Sequence, residues 1–111
     1  GTHRTAWLVG RYAIKVPVFS NWRLFLLGLL ANMQESQFSE TGWPELCPVV
    51  FRIPGGILNV MRRAEPMSRD EFFSFDYVAF VDKPQYRVPA ENKLDSFGKI
   101  DGRIVAIDYG S

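Results

Sequence analysis

Asp101-Gly102-Arg103-Ile104-Val105-Ala106-Ile107-Asp108-Tyr109-Gly110 is the stretch whose reading governs the rest of the chain. Asp-Gly between two apolar runs is a strong hairpin signal, because a two-residue turn of the primed type needs positive φ at both positions. The strand that follows, Ile104 to Ile107, is apolar on both sides and is therefore expected to be buried. It delivers Asp108 to its end, where Gly110 lets the backbone turn sharply. A carboxylate at a strand end beside a glycine is a natural anchor for a metal–phosphate group, although the same string also occurs in plain hairpins.

Working outward from that hairpin, which the pattern starts at Phe97, the chain gives an alternation of short elements. Thr5 to Val9 and Tyr12 to Val16 read as two strands around Gly10-Arg11. Pro17 ends the second or confines it to an edge. Ser20 and Asn21 are good caps for a helix from about Trp22 to Phe38. Leu24, Gly28, Ala31 and Glu35 share one stripe of that helix, and its small residues allow close approach to a sheet with Glu35 aimed at it. Ser39 to Pro48 reads as a loop. Val49 to Ile53 and Ile57 to Met61 follow as strands joined by Pro54-Gly55-Gly56. Arg62 to Ser68 reads as a connector, and Ser68 with Glu71 forms a capping box for a helix from about Arg69 to Phe80. Pro84 and Pro89 bracket an irregular stretch. The expected fold is α+β: an antiparallel sheet packed on one long helix.

Composition narrows the function. At 111 residues and 47% apolar content, the chain is one domain with a single core. A net charge of +1 without any block of like charge argues against nucleic acid or an anionic membrane as partner. Cys47 is alone, which suits a reducing, cytoplasmic setting. His3 is the only histidine, so zinc spacing and a histidine-dependent triad are both missing. The apolar run Leu24 to Ala31 falls well short of the about 20 residues that a bilayer requires and reads as a buried helix.

Three charged residues stand in otherwise apolar settings: Lys15 in its strand, Glu35 on the close-packing stripe, and Asp108 at the end of the last strand. Surface exposure is the ordinary explanation for each one singly. Together they suggest more, because a buried ammonium needs a carboxylate partner and a nucleotide phosphate tail needs a paired lysine with a metal-binding aspartate.

At these residues the chain resembles the protein-kinase-like superfamily. Gly1-Thr2-His3-Arg4-Thr5-Ala6 resembles the tail of a glycine-rich loop whose first strand is missing from the sequence. Ala13-Ile14-Lys15 is similar to the V-A-I-K strand, and Glu35 matches the helix glutamate that pairs with its lysine. Val60-Met61-Arg62-Arg63-Ala64-Glu65-Pro66 resembles the strand entering the adenine-binding hinge, with Met61 near the gatekeeper and Arg62 and Ala64 beside it. Ile107-Asp108-Tyr109-Gly110 resembles D-F-G. The resemblance implies ATP and magnesium as cofactors, with Lys15, Glu35, Met61, Arg62 and Ala64 on the nucleotide and Asp108 on the metal. It divides the chain at 1–66, resembling an N-lobe, and 67–111, a reduced C-lobe.

The departures are equally specific. The catalytic loop H-R-D-x-x-x-x-N has no match; its asparagine position falls near Asp95 or Ser96, which makes Asp95 the substitute metal ligand and Glu91 the substitute base. The chain holds no activation segment and no A-P-E. The resemblance therefore implies a miniature pseudokinase, similar to compact phage or prophage-encoded proteins, that acts by binding a nucleotide or an unidentified protein partner. The alternatives are a small active kinase using Lys15, Glu35, Glu91, Asp95 and Asp108, and a purely structural interaction module. Many aromatics for a small core also leave open an exposed aromatic partner surface.

Overall fold

The computed structural model describes residues 3–110. Gly1 and Thr2, the start of the glycine-loop-like stretch, lie outside them. The fold is α+β with antiparallel strand pairing throughout the named strands. Strands β1 (Arg4–Val9) and β2 (Tyr12–Pro17) form a hairpin, followed by helix α1 (Trp22–Ser39) and strands β3 (Val49–Ile53) and β4 (Leu58–Arg62). These strands make a four-stranded sheet in the order β1-β2-β4-β3. Strand β5 (Glu65–Pro66), helices α2 (Arg69–Ser74) and α3 (Tyr77–Val81), and strands β6 (Phe97–Ile100) and β7 (Arg103–Ala106) complete the chain.

The expectation of one sheet is corrected. The terminal hairpin β6-β7 does not join the first sheet but pairs with β5, in what had read as a connector, to form a second sheet of order β5-β6-β7. Its turn is the expected one: Asp101 and Gly102 have φ of 52° and 78°. Glycine takes such values without a Cβ clash, and aspartate tolerates them better than most residues.

Helix α1 runs 18 residues, a moderate length, and starts at Asn21, whose side chain accepts from the backbone N–H of Arg23 and Leu24. Gly28, Ala31, Asn32, Glu35 and Ser36 are its buried residues. At Gly28 an added Cβ would stand 2.5 Å from the His3 carbonyl oxygen and 2.8 Å from Pro17 Cα, so the helix touches the β1-β2 ribbon backbone to backbone. The reading of Leu24–Ala31 as a buried run is corrected on the far side, where Leu26, Leu27 and Leu30 are each nearly half exposed. No helix among the described residues is long and apolar enough to cross a membrane.

The expected helix over 69–80 is two helices. Ser68 and Glu71 make the capping box as read. Phe75 then adopts extended backbone, and Asp76 caps α3 by accepting from the Ala79 N–H. Packing gives the reason. Phe75 and Phe80 both reach Phe97, with ring centroids 5.0 and 5.5 Å away. On one continuous helix two residues five apart point roughly 140° away from each other, so sharing one target ring requires the break. Phe97 is the centre of the main core, with Met61, Met67, Val81, Val88, Val105 and Tyr109 among its members. The 39–48 loop is tied into that core by Leu46 and Cys47, through Cys47 N–H to the Ala106 carbonyl (2.9 Å) and Ala106 N–H to the Glu45 carbonyl (2.7 Å).

Candidate functional site

Four elements bring charged side chains to one place between the two sheets. The hairpin register pairs Ala6 with Lys15 and Arg4 with Pro17, so Arg4, Ala6 and Lys15 share the face that looks toward α1. Glu35 comes from the close-packing stripe of α1 and is fully buried. Asp108 stands two residues past β7. Lys15 Nζ donates to both Glu35 oxygens, at 3.1 and 2.9 Å, and to the Ile107 carbonyl at 2.5 Å. Arg4 donates to Glu35 Oε1 (3.0 Å), Glu35 Oε2 (3.3 Å) and Asn32 Oδ1 (3.0 Å), and Arg4 Nη2 reaches Asp108 Oδ1 at 2.6 Å. The Tyr109 N–H adds a further donor to Glu35 Oε2, at 3.3 Å.

Asn32 and Asn59 brace this cluster. Asn32 donates to the Lys15 and Gly56 carbonyls, and Asn59, which pairs with Lys15 across β2 and β4, donates to the Asn32 carbonyl. No described buried side-chain polar atom is left without a partner. Such completeness matters, because an unpaired buried charge costs several kcal/mol whereas a satisfied network fixes geometry. Lys15 Nζ has three acceptor atoms within the protein, two of them on the single Glu35 carboxylate. Glu35 is likewise saturated, whereas Asp108 keeps one oxygen unengaged by Arg4 and its side chain is 39% exposed.

Lys15, Asp95 and Asp108 line a small cleft of about 170 Å³ together with Arg4, Ala6 and Ile107. Glu35 lies behind it. The other expected site residues are elsewhere. Met61 is buried in the main core, and Arg62 and Ala64 line a separate, larger cleft of about 690 Å³ with Gly10, Arg11 and Tyr12. The two clefts share no lining residue. Glu91 is exposed, pairs with Lys93 at 3.0 Å and does not line the small cleft. Ser96, at the position where the resemblance expects asparagine, is buried, and its carbonyl accepts the Ile107 N–H at 2.9 Å.

Below the cleft, Tyr109 donates its hydroxyl to the Cys47 carbonyl at 2.7 Å. Burial, reinforced by the Glu35 charge, holds the Tyr109 phenol well above its usual range, and burial also raises the Cys47 thiol.

Asp95 and Asp108, the two acids that the resemblance assigns to magnesium, both line the small cleft. Among the described residues no group of three or more His, Cys, Asp or Glu side chains is placed to hold a metal. Of these two, Asp108 is ion-paired with Arg4. Arg4 and the two bracing asparagines went unread in the sequence. Arg4 was within reach of it: with Gly10-Arg11 as the turn, counting back from Val9 opposite Tyr12 puts position 4 one pleat beyond the partner of Lys15.

No protein-family model, no curated protein and no solved structure matches the chain.

Proposed function

We propose that this chain is a kinase-like domain that acts by binding and not by phosphotransfer. The observation that carries the reading is the ion pair between strand Lys15 and helix Glu35, at 2.9 Å, with Asp108 drawn into the same cluster. Lysine on a strand, glutamate on the following helix and aspartate after a late hairpin are the parts that a kinase must have in place around its nucleotide. On this reading the small cleft takes the phosphate tail of ATP at Lys15, and the chain works in the cytoplasm, as its lone buried thiol suits.

Phosphotransfer is not supported. General-base catalysis contributes about 10²–10⁴-fold, and Glu91, the substitute base, is paired with Lys93 outside the cleft. Nucleotide affinity should also be low, because Lys15 is already held by the Glu35 carboxylate and the Ile107 carbonyl. Protein binding is the second arm of the function. Trp7, Val9, Tyr12 and Phe51 are exposed on the first sheet, and Trp22, Leu26 and Leu30 on α1. Buried aromatics do exist around Phe97, but these large apolar side chains are not among them.

Amide shifts during an ATP titration test the proposal. Saturable shifts at Lys15, Ile107 and Asp108, lost in Lys15→Met, with no radiolabel transfer, are expected. Transfer that disappears in Lys15→Met points to the active enzyme instead. The absence of any shift in that cleft leaves the structural module, a reading favoured by the mutual saturation of Lys15 and Glu35.

A further inference from the structure

We infer that Arg4 is the resident cation of the Asp108 site and keeps a divalent ion out of it, so that the cleft takes its phosphate ligand without magnesium. The inference rests on the kinase-like reading for the identity of the ligand; the exclusion of metal stands on the geometry around Asp108 alone.

That geometry is tight. The Arg4 guanidinium touches Asp108 Oδ1 at 2.6 Å on one side and is held by Glu35 and Asn32 on the other. Its side chain is only 6% exposed. Arg4 cannot swing away from Asp108 while it keeps the contacts that neutralise Glu35, because one planar group makes both sets. Magnesium demands near-octahedral oxygen ligands and gives up its waters reluctantly. Here it would meet a carboxylate already carrying a positive partner, with Asp95 as the one other acid lining the cleft. An ion on the other Asp108 oxygen would share one carboxylate with the guanidinium, and the two positive charges repel at that distance.

A consequence for the ligand follows. In a metal-dependent site the acids are bridges, since the ion joins carboxylate to phosphate. With Arg4 in residence no ion bridges acid to phosphate, and the charges of Asp95 and of the Arg4-paired Asp108 are left to oppose a phosphate tail. Neutralising Asp108 should therefore tighten nucleotide binding, the reverse of its role as a magnesium ligand.

Manganese, a paramagnetic stand-in for magnesium, tests the exclusion directly. Millimolar manganese should leave the amides of Asp108, Tyr109 and Gly110 without saturable broadening in the wild-type chain. Arg4→Gln, which keeps a hydrogen-bonding side chain but no charge, should gain saturable broadening there, and Arg4→Gln with Asp108→Asn should lose it again. Broadening in the wild-type chain overturns the inference whatever the variants do, so it stays testable even where Arg4→Gln folds poorly. A folded Arg4→Gln chain that gains nothing overturns it too. The ligand arm is an ATP titration with magnesium and with chelator. Equal shifts under both conditions, and a severalfold gain of affinity in Asp108→Asn, support it. Shifts that need magnesium, or a loss of affinity in Asp108→Asn, overturn it. No ATP shift under either condition instead removes the nucleotide reading, and manganese still decides the exclusion.

Discussion

Arg4 and Asp108, 104 residues apart in sequence, meet at 2.6 Å and close a buried network whose hub is Glu35. The hub sets an order for the effects of substitution. Glu35→Gln leaves Arg4 and Lys15 facing each other without their shared counter-ion, and breaking a buried pair in this way costs about 3–5 kcal/mol. Lys15→Met leaves Glu35 still held by Arg4 and the Tyr109 N–H, so a smaller loss of about 1–3 kcal/mol is expected. Chemical denaturation should rank Glu35→Gln below Lys15→Met, and the opposite order would remove Glu35 from the centre.

Two adjacent glycines offer an internally controlled comparison. Gly55 and Gly56 both have positive φ, 86° and 78°. Around Gly55 there is open space, whereas a Cβ at Gly56 would stand 2.0 Å from the Leu29 carbonyl oxygen in α1. Gly55→Ala should cost only the backbone strain of about 1–2 kcal/mol. Gly56→Ala must also push the helix off the β3-β4 turn and should lower the melting temperature much further. Equal losses in both variants would show that the helix yields there freely.

An acid limb of stability is expected from Glu71. Its hydrogen bond from Lys99, at 2.6 Å, holds the carboxyl at about 2, below its ordinary 4.5. A depressed carboxylate contributes stability that is complete above about pH 4.5 and lost as the pH falls toward 2. Lys99 is raised by the same bond, so its share is present below 10.5 and lost at more alkaline pH. Both side chains reach solvent, so salt should weaken the effect. Melting curves across pH should show the acid limb flattened in Glu71→Gln, and an unchanged limb would assign it to other carboxylates.

Cys47 should report global unfolding. It is fully buried, and its thiol is raised by that burial. Reaction needs an exposed thiolate. Labelling by a thiol reagent at neutral pH should therefore track the denaturation curve measured by fluorescence. Fast labelling under native conditions would mean that the 39–48 loop opens locally.

Much of the site was legible because it depends on local pattern. Glu35 was placed by helical spacing from Gly28 and Ala31, and Asp108 by the Asp-Gly turn that sets the length of the last strand. What escaped depends on distant packing. The break at Phe75 and Asp76 is dictated by Phe97, twenty-two residues further on, as Phe75 and Phe97 share the numbering of the chain but no local signal. The half-exposed Leu26, Leu27 and Leu30 have the same apolar pattern as buried residues, and nothing local says that this side of α1 has no cover. The β5-β6 pairing, made by a two-residue strand inside an apparent connector, is likewise a tertiary choice with no local signal.

Because the guanidinium near the start of the chain and the carboxylate near its end complete the same hub, the first four strands and α1 emerge from a ribosome before their electrostatics are balanced. Arg4, Lys15 and Glu35 belong to the first sheet and α1, whereas Asp108, the Tyr109 amide and the Ile107 carbonyl follow β7. The charge cluster is thus incomplete until the β6-β7 hairpin is in place, which couples the two sheets through one ionic hub.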